Sequence, residues 1–305
     1  MRDTACTQKM IDLAADQLAA ISRLFSSSVV RELARSGRSP LFARLVTESH
    51  MLDSISLTER VSTVFETAFS LMRREGYRHE YIYKSALAHK ILLGKHSLQT
   101  ASMINEFRVG ECKADVAILN GTATVYEVKS ERDSLARLDR QIAAYATVFA
   151  KVYVIAAESH ICAVVDSVPE FVGVLCLNSR HQISTLRDAV DQPERTSPGA
   201  IFDSIRTEEA RMILASFGVL VPRVPNTELY AVLRDAFVKL DPIRAQEGMV
   251  RVLKRTRNLL PLSALVDQLP RSLQMAALSI PLRKADHGRL VAAVNTHLET
   301  AMAWG

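Results

Sequence analysis

The chain has 305 residues, 48% of them hydrophobic and 23% charged, enough for a sizeable core and about two domains at the usual ~100–200 residues each. That composition excludes wholesale disorder, and no run of about 18 apolar residues offers a membrane span. The formal charge of +5 and pI near 9.1 permit an acidic partner such as nucleic acid without demanding one. Cys6, Cys112, Cys162 and Cys176 are scattered, with no C-x-x-C and no histidine at zinc spacing, so they read as small buried residues in a reducing cytosol. The opening segment is interrupted by Asp12, Asp16 and Arg23 and lacks a signal-peptide core, so the chain is expected to be soluble and cytoplasmic.

Up to about Arg74 the pattern is helical, with Ile11, Leu13, Leu18, Ile21 and Leu24 at three- and four-residue spacings. "RSGRSP" breaks it, and a second stripe (Val61, Val64, Phe65, Ala68, Leu71) predicts a helix over about 56–74. Residues 1–75 thus read as a helical cap. The next helix, "YRHEYIYKSALAHKILLGKHS", is predicted to stop at Gly94 as a left-handed cap. His79, His89 and His96 lie near it without metal spacing and read as surface or capping residues.

The period then changes. "MINEFRVG" and "KADVAIL" are strand-like, Asn120-Gly121 signals a hairpin, and "TATVYEVK" is the third strand. Leu135, Leu138, Ile142, Ala146 and Phe149 form a helical stripe, "KVYVIAA" a fourth strand, a short helix spans about 160–167, and "VGVLCLN" is a fifth strand. The order α-β-β-β-α-β-α-β predicts an α/β core with a mixed sheet over 76–183. From about Ser184 the pattern is helical to the end. Residues 201–305 hold 14 Lys+Arg against 10 Asp+Glu, so this expected C-terminal domain (184–305) is a candidate for nucleic-acid or partner-protein docking. A homo-oligomer stays open.

Asp115 opens the second strand; Glu127 and Lys129 close the third, two apart and so on one strand face. Eleven residues, one hairpin, separate Asp115 from Glu127. Two carboxylates about 4 Å apart repel by about 4 kcal/mol at an effective dielectric near 20, a cost that a divalent cation removes. Oxygen-only ligation suits Mg²⁺ or Mn²⁺. Lys129 on the same face could orient water or neutralise a phosphate.

This convergence has a condition. With a strict two-residue Asn120-Gly121 loop, Asp115 pairs with Tyr126 and points away from Glu127. A three-residue loop with Gly121 left-handed, or a bulge, puts both on one face. Glu80 is a candidate third ligand, although Glu80 and Lys84 also fit an i,i+4 ion pair; Glu106 on the first strand is a rival. Gln141 and Tyr145 sit i,i+4 on the following helix as polar positions beside its apolar stripe, although Tyr145 alone reads more often as core. Lys113, Arg132, Arg137 and Arg140 could line a phosphate path; singly, each reads as a solvated charge. No Walker, dinucleotide or G-x-S-x-G pattern occurs.

"EFRVGECKADVAILNG" and "YEVKSERDSLARLDRQIAAY", behind the Glu-bearing helix "EYIYKSALAHKILLGKHS", resemble the PD-(D/E)XK nuclease superfamily over about residues 77–178. The usual proline before the aspartate is Ala114. The resemblance implies a restriction-endonuclease-like fold, Asp115 and Glu127 as metal ligands, Lys129 as catalytic lysine and Gln141 as helix-borne accessory; Glu80 stays the candidate third ligand read from the residues. It also implies an Mg²⁺- or Mn²⁺-dependent nuclease acting on DNA; by their positions, Lys113, Arg132, Arg137 and Tyr145 are expected near substrate. The alternatives are a catalytically silent copy of the fold that binds nucleic acid or protein, and an ordinary Glu127–Lys129 ion pair inside an interaction module.

Overall fold

The computed structural model describes residues 13–74 and 76–305; Ile11 of the first stripe and Cys6 lie outside them. A six-stranded mixed sheet, strands in sequence order, sits between two layers of helix. β1 (Ser102–Val109), β2 (Cys112–Asn120) and β3 (Thr122–Lys129) form an antiparallel meander. β4 (Lys151–Ala157) and β5 (Gly173–Leu177) run parallel to β3, and β6 (Ile183–Arg187) returns antiparallel at the edge.

Alternation along the strands divides the core in two. Val116, Ile118, Tyr126 and Val128 face the N-terminal helices α1 (Ala15–Arg23), α2 (Ser27–Ser36), α3 (Pro40–Glu48) and α4 (Val61–Met72), with α5 (Glu80–Leu87). Ala117, Leu119, Val125 and Val154 face the crossover helices α6 (Leu138–Tyr145) and α7 (Ile161–Ser167). The same layer holds α8 (Pro198–Ser204), α9 (Thr207–Ser216), α10 (Asn226–Phe237) and α11 (Pro242–Thr256). The last helices, α12 (Ser263–Gln268), α13 (Arg271–Ser279), α14 (Lys284–Val294) and α15 (Leu298–Met302), cross back to the N-terminal side. Residues 184–305, expected as one helical domain, are therefore shared between both layers, and the expected boundary at 183/184 falls inside β6.

Three local features depart from the sequence reading. β6 is a strand where helix was expected; its "ISTLR" is exposed at its three central positions and carries no apolar run. Asn178 sets it up, its side-chain oxygen accepting the N–H groups of Arg180 and Gln182 in a tight turn. The helix before the sheet ends in a π-turn over Ala88–Leu92, where Leu93 N–H donates to Ala88 O at 2.8 Å. Gly94 is not a left-handed cap. It is needed for space, because a Cβ there would stand 2.8 Å from the carbonyl oxygens of His89 and Lys90. Cys112 and Cys176 are buried and unpaired as expected, whereas Cys162 is exposed. Among the described residues no helix is long and apolar enough to cross a membrane.

Candidate active site

The β2–β3 turn meets the condition set by the sequence. Leu119 pairs with Ala123 across Asn120-Gly121-Thr122, and Gly121 is left-handed at φ +70°. The register then carries Val116 onto Tyr126, and one step further sets Asp115 opposite Glu127. The backbone ladder gives way there: the Asp115 carboxylate accepts the Val128 N–H at 2.8 Å, taking a place that a backbone carbonyl fills in a regular sheet. Beside it, Glu106 stands between the pairs Asn105–Val116 and Phe107–Ala114 with a left-handed φ of +56°. That conformation costs a non-glycine residue on the order of 1–3 kcal/mol.

Glu127 is 2% exposed and surrounded by donors. The Lys129 ammonium donates to its Oε1 at 2.9 Å and the Gln141 amide at 2.5 Å, while the Gln141 carbonyl accepts from Lys129 at 2.9 Å. The three side chains close a ring that fixes the orientation of each. On the other oxygen, the Tyr145 hydroxyl lies 2.9 Å from Glu127 Oε2 and 3.0 Å from the carbonyl of Lys113, with one proton to serve both acceptors. Burial, then Glu127, push the Tyr145 phenol well above its ordinary value, so it stays a donor.

Asp115 is different. Burial, then the Glu127 carboxylate and then Glu80, push it up to about 8, against the modest opposing pull of the Val128 N–H. Negative charge is in excess at this point. Asp115, Glu127, Lys129 and Gln141 line one cleft of about 290 Å³ with Glu80, Arg137 and Arg140 on its walls.

The remaining expected residues are placed less simply. Glu80 reaches the cleft, but its carboxylate is held by Lys84, the i,i+4 pairing that stood as the alternative. Among the described residues no group of three His, Cys, Asp or Glu is arranged around a common point. The Lys113 ammonium is turned onto Glu106 at 2.8 Å and is half-exposed; its carbonyl, not its charge, meets the site. Arg132 donates to the Gly76 carbonyl at 3.2 Å and is not part of the cleft wall. Arg137 and Arg140 are part of it, Arg140 only loosely engaged by Glu111 at 3.8 Å.

The sequence reading missed Asp133, which accepts from Ser130 N–H at 2.8 Å and Ser130 Oγ at 2.6 Å. It thereby holds the chain in a turn just after Lys129. Its signal was the spacing Ser130-x-x-Asp133, a side-chain turn motif.

A family model described as bacteriophage P4 protein cII matches residues 73–256, from just before α5 to the last residue of α11. The chain belongs to the P4 cII family. A curated relative, protein cII of Enterobacteria phage P4, is 36% identical over 106 residues, which span 34% of this chain and 39% of the phage protein. The chain thus aligns with well under half the length of that relative. A solved protein of unknown function from Silicibacter pomeroyi overlaps 54% of this chain and 93% of its own, at 16% identity and a TM-score of 0.29, too low to bear on the fold. The segment matched to the cII family contains the whole sheet and every residue of the candidate site.

Proposed function

We propose that this cII-family protein is a metal-dependent nuclease that hydrolyses phosphodiester bonds in DNA. The observation that carries the reading is the meeting of Asp115, Glu127, Lys129 and Gln141 in one cleft, with Asp115 raised by burial and then by the Glu127 and Glu80 carboxylates. The donor set fits a hard divalent cation: two carboxylates, oxygen only, with no sulfur or imidazole among the residues lining the cleft beyond the buried Cys112. Asp115 and Glu127 would hold Mg²⁺ or Mn²⁺, which when bound neutralises their repulsion, polarises a phosphoryl oxygen and acidifies water.

The chain's own residues supply the rest. Gln141 keeps the Lys129 ammonium beside Glu127, where it can orient a nucleophilic water or offset charge growing on the phosphate. Tyr145 fixes the second Glu127 oxygen from behind. Arg137 and Arg140, on the cleft wall, suit the flanking phosphates of a strand.

A second reading has its own support. Glu127 already has three donors and Glu80 is engaged by Lys84, as befits a silent copy of the fold that binds nucleic acid or a partner protein. Incubating the protein with supercoiled, linear and single-stranded DNA and with RNA, in Mg²⁺ and in Mn²⁺, separates the two. Cleavage that falls at least about 100-fold in Asp115→Asn is expected, the scale of losing one preorganised electrostatic group. Undiminished cleavage by that variant, or none by the parent protein with either metal, would sink the nuclease reading.

A further inference from the structure

Glu127 and Lys129 point to one face of β3; Thr124 and Tyr126 point to the other. On that second face opens a cleft of about 550 Å³. Its floor is Thr124 and Tyr126 of β3 with Tyr153 of β4, the two tyrosine rings stacked with centroids 5.4 Å apart. Thr124 and Tyr126 are largely buried side chains, but their hydroxyls open into the cleft and bond to no other described residue. Both are reachable from the cleft.

Charge is divided along the cleft. Lys90 and Lys95 line one wall, and Lys90 and Gln182 also line an adjoining cleft of about 220 Å³ that holds Arg73, Arg180 and Arg271. None of these five cations is in an ion pair among the described residues. The acid in the smaller cleft, Glu66, is occupied by Ser272, whose N–H and hydroxyl donate to it at 3.0 and 2.9 Å. Burial first, with Arg271 next, holds His89 down to about 4, and burial first, with Arg73 next, holds His181 down to about 3, so neither imidazole adds charge there. On the larger cleft, Lys151 is neutralised by Asp191 at 3.3 Å, and Asp188 stands 3.4 Å from the Tyr153 hydroxyl.

We propose that these joined clefts are a binding site for a nucleoside triphosphate, on the face of the sheet away from Glu127. The phosphates lie on Lys90, Arg73, Arg180 and Arg271; the nucleoside fills the larger cleft, meeting Thr124 and Tyr126. A volume of several hundred Å³ suits such a ligand. Cations at one end and hydroxyls with an acid at the other match a molecule with one anionic end, where a nucleic-acid strand would ask for positive charge throughout. The proposal is independent of the nuclease reading, because Asp115→Asn leaves this face untouched.

Calorimetric titration with ATP, GTP, CTP and UTP tests it, in chelator so that no divalent cation bridges to the candidate active site. Inorganic tripolyphosphate and a twelve-residue oligo-dT serve as comparisons. At least one triphosphate should bind, with Lys90→Ala weakening it about tenfold or more. Thr124→Val should weaken the nucleotide several-fold and leave tripolyphosphate unmoved, a split that misfolding would not produce. The proposal is overturned if no nucleotide binds at millimolar concentration. It is equally overturned if tripolyphosphate matches the best nucleotide and Thr124→Val changes neither, or if oligo-dT alone binds.

Discussion

Glu127 and Glu209 are each 2% exposed, and their surroundings teach how a buried carboxylate of structure differs from one of a site. Glu209, on α9, accepts from the Arg257 guanidinium at 2.9 and 2.7 Å, from Thr256 at 2.9 Å and from the Arg206 N–H at 2.8 Å. Burial pushes its pKa up, but Arg257 and the other donors more than offset this, and it ends below the ordinary glutamate value. One negative charge meets one positive charge, and the pair ties α9 to the chain leaving α11. Where β2 meets β3, Lys129 pairs with Glu127 alone, and Asp115, held by the Val128 N–H, is driven upward by burial and then by Glu127 and Glu80. Glu209, answered by Arg257, is a clamp; Asp115, raised by burial and then by its carboxylate neighbours, is the group that the proposed cation would answer.

Breaking the balanced centre should have the largest effect. Arg257→Ala leaves Glu209 buried without its countercharge, and such orphaned charges cost about 3–5 kcal/mol. The loss includes the guanidinium that lies 5.5 Å over the Phe107 ring. A fall of that size in urea unfolding free energy, at an unchanged slope, is expected. A change below about 1 kcal/mol would mean that the clamp is decorative and the contrast with Glu127 empty.

Altering the unbalanced centre should act with the opposite sign. Asp115 has a folded pKa raised above its unfolded value near 3.8, so its contribution to stability is neutral in acid and worsens as pH rises from about 4 toward about 8. Asp115→Asn retains an oxygen for the Val128 N–H and removes the charge. Without metal at pH 7.5 it should stabilise the fold by about 1–3 kcal/mol, an advantage that disappears near pH 4. Millimolar Mg²⁺ or Mn²⁺ should raise the melting temperature of the parent protein and not of the variant. A variant less stable than its parent at pH 7.5 would show that Asp115 carries no unmet charge.

Much of this centre could be read from spacing, because Glu127 and Lys129 share a strand face whatever the tertiary structure does. What spacing could not supply was the choice between a two- and a three-residue turn, which rested on the left-handed backbone of Gly121. Nor could it show which of two partners would hold Glu80, since a helical i,i+4 pair and a metal ligand need the same residue at the same place. The mixed sheet was legible from its apolar runs through β5. The edge strand β6 was not, having exposed central positions and a register shift at Val174/Leu175 in place of an alternating pattern. The sharing of residues 184–305 between two layers depends on contacts far apart in sequence, such as Tyr81 to Ser272 and Gln246 to Val148, which no local pattern contains.

Tyr145→Phe is a finer cut at the same centre. It removes one donor from Glu127 while leaving Lys129 and Gln141 in place, and should cost about 1 kcal/mol of stability, the net worth of one hydrogen bond. Because the lost bond orients a proposed ligand oxygen, cleavage should fall further than this, and excess metal should recover part of it. Equal losses in stability and cleavage that no metal concentration relieves would make Tyr145 core only.

The smallest effect on stability, and the sharpest separation of fold from function, is expected at Arg140. Its pairing with Glu111 is long, at 3.8 Å, and the two side chains are 64% and 89% exposed. Solvated pairs of this kind contribute little, so Arg140→Ala should leave the unfolding free energy within about 0.5 kcal/mol of the parent. The same guanidinium stands on the wall of the cleft, where a phosphate of a bound strand would displace counterions onto solvent. DNA affinity measured against salt should therefore weaken in the variant, with the slope of log affinity on log salt reduced by about one unit for duplex DNA. A variant with unchanged stability and an unchanged salt slope would remove Arg140 from the substrate path and leave Arg137 as the cation of that wall.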